Sequence, residues 1–277
     1  MPISPTIRRI ITAQPLDLPV FHPIAIRLQQ VLESLDFTIE EVITIANQDQ
    51  SLASKILKVA NSPFYLGRVP VATMRDAVVR LGAQLIANLA MVASQAGLHS
   101  STHPLVNSYM QRLWLHSHCC AIGCRFVARS IGETVLADQA YLAGLLHDVG
   151  KLYLLKALEK LSAEGLAQAA LEEDLLLELF DELHVEQGSR LMEHWRMPRQ
   201  YCDVVAMHHE PGAAEDDTVM AIVRTVNAAC RRKGLSLHAD LGGELADLDD
   251  VRQLGLTGFQ LAELETVLED AQQVGIE

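Results

Sequence analysis

Residues 144–151 read Gly-Leu-Leu-His-Asp-Val-Gly-Lys. An apolar helical run leads straight into His147-Asp148, then Gly150 and Lys151. One imidazole nitrogen and one carboxylate oxygen from so short a segment can hold a divalent ion between them. The dipeptide alone is weak evidence, because the chain has 11 His. Its surroundings give it weight: His116, His184, His208 and His209 each stand beside a helix-like pattern.

That pattern runs through almost the whole chain. Thr38 and Glu41 form a capping-box signature ahead of Val42, Ile43 and Ile45. Ser51 opens a segment with Leu52, Ile56, Leu57 and Val59 at helical spacing, ended by Asn61-Ser62-Pro63. Thr73 can cap a third segment, Gly82 punctuates it, and Leu85–Ala96 continues as an apolar helix. Leu171–Leu183, Val204–His209 and Val219–Cys230 read as further helices. Trp195-Arg196-Met197-Pro198 reads as a helix end, and the glycines at 242–243 and 255–258 break up the tail. No alternating strand pattern of useful length occurs, so the expected fold is all-α. The polar stretch 99–107 is the clearest break. It suggests an N-terminal helical part over 1–105 and a second helical part over 106–277 with an acidic C-terminal extension.

Composition narrows the function. Hydrophobic residues make up 49% and charged residues 21%, which points to a globular chain. No apolar run reaches the roughly 18 residues that span a bilayer, and residues 1–14 lack the apolar core of a signal peptide. We therefore expect a cytoplasmic protein, no membrane partner and reduced thiols. The five Cys contain no Cys-x-x-Cys pair, and Cys119 and Cys120 read as small buried thiols. The net charge of −13 repels phosphate backbones, so no direct nucleic-acid binding is expected. Arg231-Arg232-Lys233 reads as a solvated helix end.

Four elements carry a family likeness: Leu18-Pro19; Asp49-Gln50-Ser51-Leu52; Ala60-Asn61-Ser62-Pro63-Phe64-Tyr65; and Ala77-Val78-Val79-Arg80-Leu81-Gly82. In this order and spacing they resemble the HDOD domain, a bacterial signalling relative of the HD phosphohydrolases. The likeness runs from about residue 14 to about 235, with Gln50 where the family usually has Pro. It implies an N-terminal helical bundle packed on an HD-like helical core. It also implies a role in signal transduction, with many members having lost the metal site and showing no known activity.

The resemblance extends to ligands. His116 looks like the first HD-superfamily ligand, and His147 with Asp148 matches the central pair. The segment from His184 to Gly188 and the run His208-His209-Glu210 resemble the HD-GYP phosphodiesterases. Lys151 matches a lysine that faces the metal-bound phosphate in those enzymes. Two departures stand against catalysis. The Gly-Tyr-Pro segment is replaced by Pro211-Gly212-Ala213-Ala214, and the final Asp ligand is matched by Asn227, which removes one negative charge.

Blander readings stand beside each residue. His147-Asp148 can form a helix-end hydrogen bond without metal. His208 and His209 point about 100° apart if they share a helix, so both reach one ion cluster only if it is broad. His184 can be a polar residue near a helix start, and Lys151 a solvated one at a helix end. His116 competes with His118 for the core; His22, His99, His103, His194 and His238 read as surface or packing residues. A His/carboxylate set without Cys suits Fe, Mn or Zn, as one ion or two. Two ions about 3.5–4 Å apart would hold a hydroxide for in-line attack on a phosphodiester, with Asp148 holding metal and nucleophile. The leading expectation is a non-catalytic or weakly catalytic signalling module that binds a partner protein or a small ligand such as a nucleotide. The alternative is a metal-dependent phosphohydrolase or phosphodiesterase acting on a nucleotide or cyclic dinucleotide, in which Asp148 and Lys151 are catalytic. Oligomeric state is left open.

Overall fold

Residues 5–13, 21–34, 36–61, 69–95, 98–164, 172–210, 217–238 and 243–274 are described by the structure, a computed structural model. They are all-α, with no strand among them. Several sequence features fall outside the described residues: Leu18-Pro19, positions 62–65, Ala96, Leu171, positions 211–214 and Gly242.

Contacts divide the chain into two units, Pro19–Leu98 with Trp195–Pro198, and Met1–Leu18 with His99–His194 and Arg199–Glu277. The break therefore falls at residue 98/99, inside the polar stretch, while α1 (Pro5–Thr12) groups with the later part of the chain.

The smaller unit holds α2 (Pro23–Leu32), α3 (Ile39–Ala46), α4 (Gln50–Ala60), α5 (Met74–Leu81) and α6 (Ala83–Gln95). Local chemistry sets these boundaries. Thr38 accepts from the Glu41 amide at 3.2 Å, but the Glu41 side chain returns no bond, so only half of the box forms. The full reciprocal box is at Thr73 and Asp76. Helix α4 starts one residue before Ser51, capped by the Asp49 carboxylate on the Leu52 amide at 2.8 Å. Gly82 takes φ +83° between α5 and α6, a left-handed conformation that side chains disfavour. Leu28, Val42, Ile45, Ile56, Val78 and Leu89 form the core. Within it Asn88 accepts from Gln29 at 3.0 Å and from Gln84 at 3.2 Å. Asn61, at the end of α4, holds both the amide and the carbonyl of Val71 at 2.9 Å each.

The larger unit is built on α7 (Pro104–Ser130), whose middle is buried by neighbours. On it pack α8 (Ala137–Leu146), α9 (Val149–Ala163), α12 (Thr218–Arg232) and α14 (Gly258–Val274), while α10 (Glu173–His194) packs on α9, α11 (Arg199–Met207) on α10 and α13 (Asp249–Gln253) on α12. Glycines allow three close crossings. A Cβ on Gly144 would meet Cys124 Sγ at 2.7 Å and the Cys120 carbonyl at 2.8 Å, so α8 lies tight on α7. A Cβ on Gly123 would meet Val226 at 2.6 Å, fixing α12 on α7. Gly150 and Gly188 bring α9 and α10 into backbone contact. These crossings deliver residues distant in sequence to one place. No single helix among the described residues is long and apolar enough to cross a membrane.

Candidate metal centre

Asp148 is the hub. It occupies the N-cap position of α9, where an Asp ordinarily accepts from the first amides, yet its side chain makes no capping bond. The carboxylate instead turns inward, 2% exposed, and collects imidazoles on both oxygens. Its Oδ2 lies 3.4 Å from Nε2 of His116 and 3.4 Å from Nε2 of His147. Its Oδ1 lies 3.6 Å from Nε2 of His208 and 3.7 Å from Nε2 of His184. His209 completes the second group, its Nε2 3.0 Å from that of His184. Six of the predicted ligands therefore converge, brought in by α7, the α8–α9 junction, α10 and the residues just past α11.

Four of the rings are anchored the same way. His116 Nδ1 lies 3.0 Å from the Leu235 carbonyl, and His147 Nδ1 2.8 Å from that of Gly144. His184 Nδ1 meets the Phe180 carbonyl, and His208 Nδ1 lies 3.2 Å from the carbonyls of Val204 and Val205. A carbonyl oxygen only accepts, so each Nδ1 carries a proton and each ring turns its Nε2 toward Asp148; in the neutral rings of His147 and His184 that atom is a bare lone pair. His116 and His147 face each other Nε2 to Nε2 at 3.3 Å. Two nitrogens bound to one ion at about 2.1 Å would stand roughly 3.0–3.4 Å apart. His208 Nε2 and Asp148 Oδ1 are buried with no hydrogen-bond partner. Buried lone pairs of this kind are costly unless something electropositive satisfies them. The donor set fits one or two divalent ions, with Asp148 able to bridge the groups His116/His147 and His184/His208/His209.

Electrostatics agree. Burial drives the His147 ring well below its ordinary value, against the pull of Asp148. Burial holds His184 near 4, and burial with the adjacent His208 and His184 holds His209 near 3. These rings are neutral at pH 7, the form that ligates metal. His116 is the exception: burial lowers it, but Asp148 and then Cys230 outweigh that and raise it to about 9. Burial raises the Asp148 carboxyl, yet Lys151 and the surrounding rings bring it well below the ordinary range.

Several sequence readings change here. Lys151 is not a solvated helix-end residue: it is 4% exposed, and its Nζ lies 2.6 Å from Asp148 Oδ2. His184 sits in the middle of α10 rather than near its start. His208 and His209 lie beyond the last residue of α11, so the 100° argument does not apply, and their rings are 4.1 Å apart. His118 is the less buried of the α7 pair, while His116 is fully buried. Asn227 is buried on α12, but none of the hydrogen bonds or ion pairs of the cluster among the described residues involves it. Cys120, read only as a small buried thiol, and Cys230, given no role, lie beside His116. The available signal was the spacing of His116 and Cys120, four apart on one helix face.

The described residues form an all-α fold that gathers five histidines and one aspartate into a largely buried cluster that could hold a metal. The HDOD domain profile matches residues 18–211, and the chain belongs to the HDOD family. Among curated proteins, an uncharacterized protein of Treponema pallidum (strain Nichols) is 22% identical over 206 residues. That match takes in 72% of this chain and 39% of the relative's length, so the chain spans well under half of it. An HDOD domain protein of unknown function from Geobacter sulfurreducens superposes with a TM-score of 0.74 at 24% identity, over 98% of this chain and 96% of the other. A Shewanella amazonensis SB2B protein provisionally named a metal-dependent phosphohydrolase gives 0.71 at 21% identity, over 96% of each chain. A Marinobacter aquaeolei VT8 protein provisionally named a signal transduction protein gives 0.67 at 21%, over 98% of this chain and 65% of the other. At these identities the likeness carries the fold.

Proposed function

We propose that this chain is a metal-binding signal-transduction module of the HDOD family, whose His-Asp centre serves structure or sensing. One observation carries the reading. Imidazole Nε2 atoms gather around both oxygens of one buried carboxylate, and His208 Nε2 and Asp148 Oδ1 are buried there with no hydrogen-bond partner. The ligands would be His116, His147, Asp148, His184, His208 and His209, holding Fe, Mn or Zn as one ion or two. Asn227, a neutral oxygen where a carboxylate would add charge, leaves the centre one negative charge short, which disfavours catalysis. The partner would be a signalling protein or a small ligand such as a nucleotide. Elemental analysis of the purified chain tests the reading. Bound transition metal that is lost in Asp148→Asn supports it, and metal-free protein that takes up no added ion overturns it.

A second reading, phosphodiester hydrolysis, is favoured by the two-sided use of Asp148 and by His209, which is exposed at the edge of the cluster. Bound ions would supply Lewis acidity and a water of lowered pKa. Asp148 would hold the two His groups in register, and Lys151 would fix the carboxylate. Turnover of bis(p-nitrophenyl) phosphate with added manganese or iron, abolished in His147→Ala, would establish it. No turnover with any metal would end it.

A further inference from the structure

We propose that Arg224 is the positioning residue for the His208–His209 turn, and that through Asp250 it ties the candidate metal centre to α13. The proposal rests on the reading of the His-Asp cluster as a metal centre. It adds a part of the chain that the HDOD profile, ending at residue 211, does not reach.

His208 and His209 stand in a tight turn just past α11, closed by the Glu210 amide donating to the Met207 carbonyl at 2.9 Å. Arg224 reaches this turn from α12. Its Nη2 donates to the Met207 carbonyl at 3.0 Å and also to the Glu210 carbonyl. One nitrogen therefore holds the peptide oxygens on either side of the two histidines. Carbonyls at a helix C-terminus carry partial negative charge, and a guanidinium offers them several donors in a fixed plane. Hydrogen bonds from a charged donor are also the stronger kind. The other arm of the fork, Nη1, lies 3.6 Å from Asp250 Oδ1 on α13.

The consequence is for ligand geometry. His208 Nε2 stands 3.6 Å from Asp148 Oδ1, and His209 Nε2 stands 3.0 Å from that of His184. A turn free to swing would carry both rings away. The same later part of the chain supplies Leu235, whose carbonyl orients His116. Three of the five imidazoles thus take their placement from residues beyond 211. A shift of α13 acts on Arg224, and through it on two rings at once.

Histidine side-chain nitrogen–proton correlation spectra of the metal-free full chain test the placement without any ion. Arg224→Met is expected to shift the His208 and His209 signals and leave those of His116 and His147 in place. Arg224→Lys keeps a cation for the two carbonyls but cannot also serve Asp250, and should restore most of the wild-type pattern. Asp250→Asn should shift the same two signals by less. Cobalt(II) titration should then show affinity lowered by about 10–100-fold in Arg224→Met, the loss typical of an outer-shell partner. Unmoved His208 and His209 signals, equal shifts of all five rings, or unchanged affinity in a chain that binds cobalt overturns the proposal. If Arg224→Met does not fold, Asp250→Asn decides: unmoved signals there overturn it. A wild-type chain that takes up no cobalt sinks the metal-centre reading alone, because the ring signals still report the clamp.

Discussion

A Cβ built on Gly150 would overlap the carbonyl oxygen of His184, so the backbone of the His-Asp-Val-Gly-Lys segment rests directly on the helix that carries His184. Gly188, one turn further along α10, completes the contact; its amide would stand 2.8 Å from the same added carbon. The glycine two residues after Asp148 thus fixes how close His184 comes to the carboxylate.

Gly150→Ala is expected to destabilise the protein by about 3 kcal/mol or more, because the obstacle is backbone and cannot rotate away. It should also weaken metal retention by moving His184. A variant that unfolds at the wild-type denaturant midpoint with full metal content would show the crossing to be looser than described.

Metal removal gives a second expectation. A ligand present at 100 times its dissociation constant stabilises the folded state by about 2.7 kcal/mol. Chelator should therefore lower the melting temperature of the wild-type chain and leave that of His208→Ala unchanged. Equal shifts in both would place the metal elsewhere.

The Lys151–Asp148 pair is buried, and such pairs are costly to break from one side. In metal-free protein, Asp148→Ala strands the Lys151 ammonium and is expected to cost about 3–5 kcal/mol. Adding Lys151→Met should recover part of that loss, which a double-mutant cycle measures. Additive losses would mean that the two groups do not interact.

Acid should destabilise the metal-free protein. His184 is held near 4, so between its ordinary 6.5 and that value the unfolded chain binds a proton that the folded chain refuses. Its contribution is complete above pH 6.5 and is lost as pH falls toward 4, at up to about 1.4 kcal/mol per pH unit. His209 acts in the same direction, more weakly because it is exposed. His116, raised to about 9, acts oppositely: its contribution is complete below 6.5 and fades as pH rises through 9. Denaturant unfolding at pH 7, 6 and 5 measures the slope; a flat profile would contradict neutral, buried His184.

Asn61→Ala should cost about 1–2 kcal/mol, since the Val71 amide and carbonyl each lose a partner. Metal content should be unaffected, because the ligands all lie in the other unit. Loss of metal in this variant would tie the two units together.

The all-α class could be read because the helical spacing of apolar residues, the Thr38 and Thr73 caps and the Gly82 break are local signals that act within one turn of chain. The residues that gather around Asp148 could be picked out because residue type and order, matched to the family pattern, survive in one dimension. What escaped was set by packing. Asp148 and Lys151 stand three apart, a spacing that allows an ion pair, but that the pair would be buried and Asp148 would leave its cap is set by packing. Cys230 lies 110 residues from Cys120, and only the approach of α12 to α7 makes them neighbours. His184 was misplaced within its helix because α10 runs to His194, well past the expected end.

The outer sphere of this centre is written almost entirely in main chain: the oxygens of Leu235, Gly144, Phe180, Val204 and Val205 orient four imidazoles. Peptide oxygens are untouched by side-chain replacement, so sequence drift cannot retune the tautomers of these rings one at a time. Were an ion held here, a change in its preference would come by replacing an imidazole, Asp148 or Lys151 outright, or by bending a helix and moving several of them together.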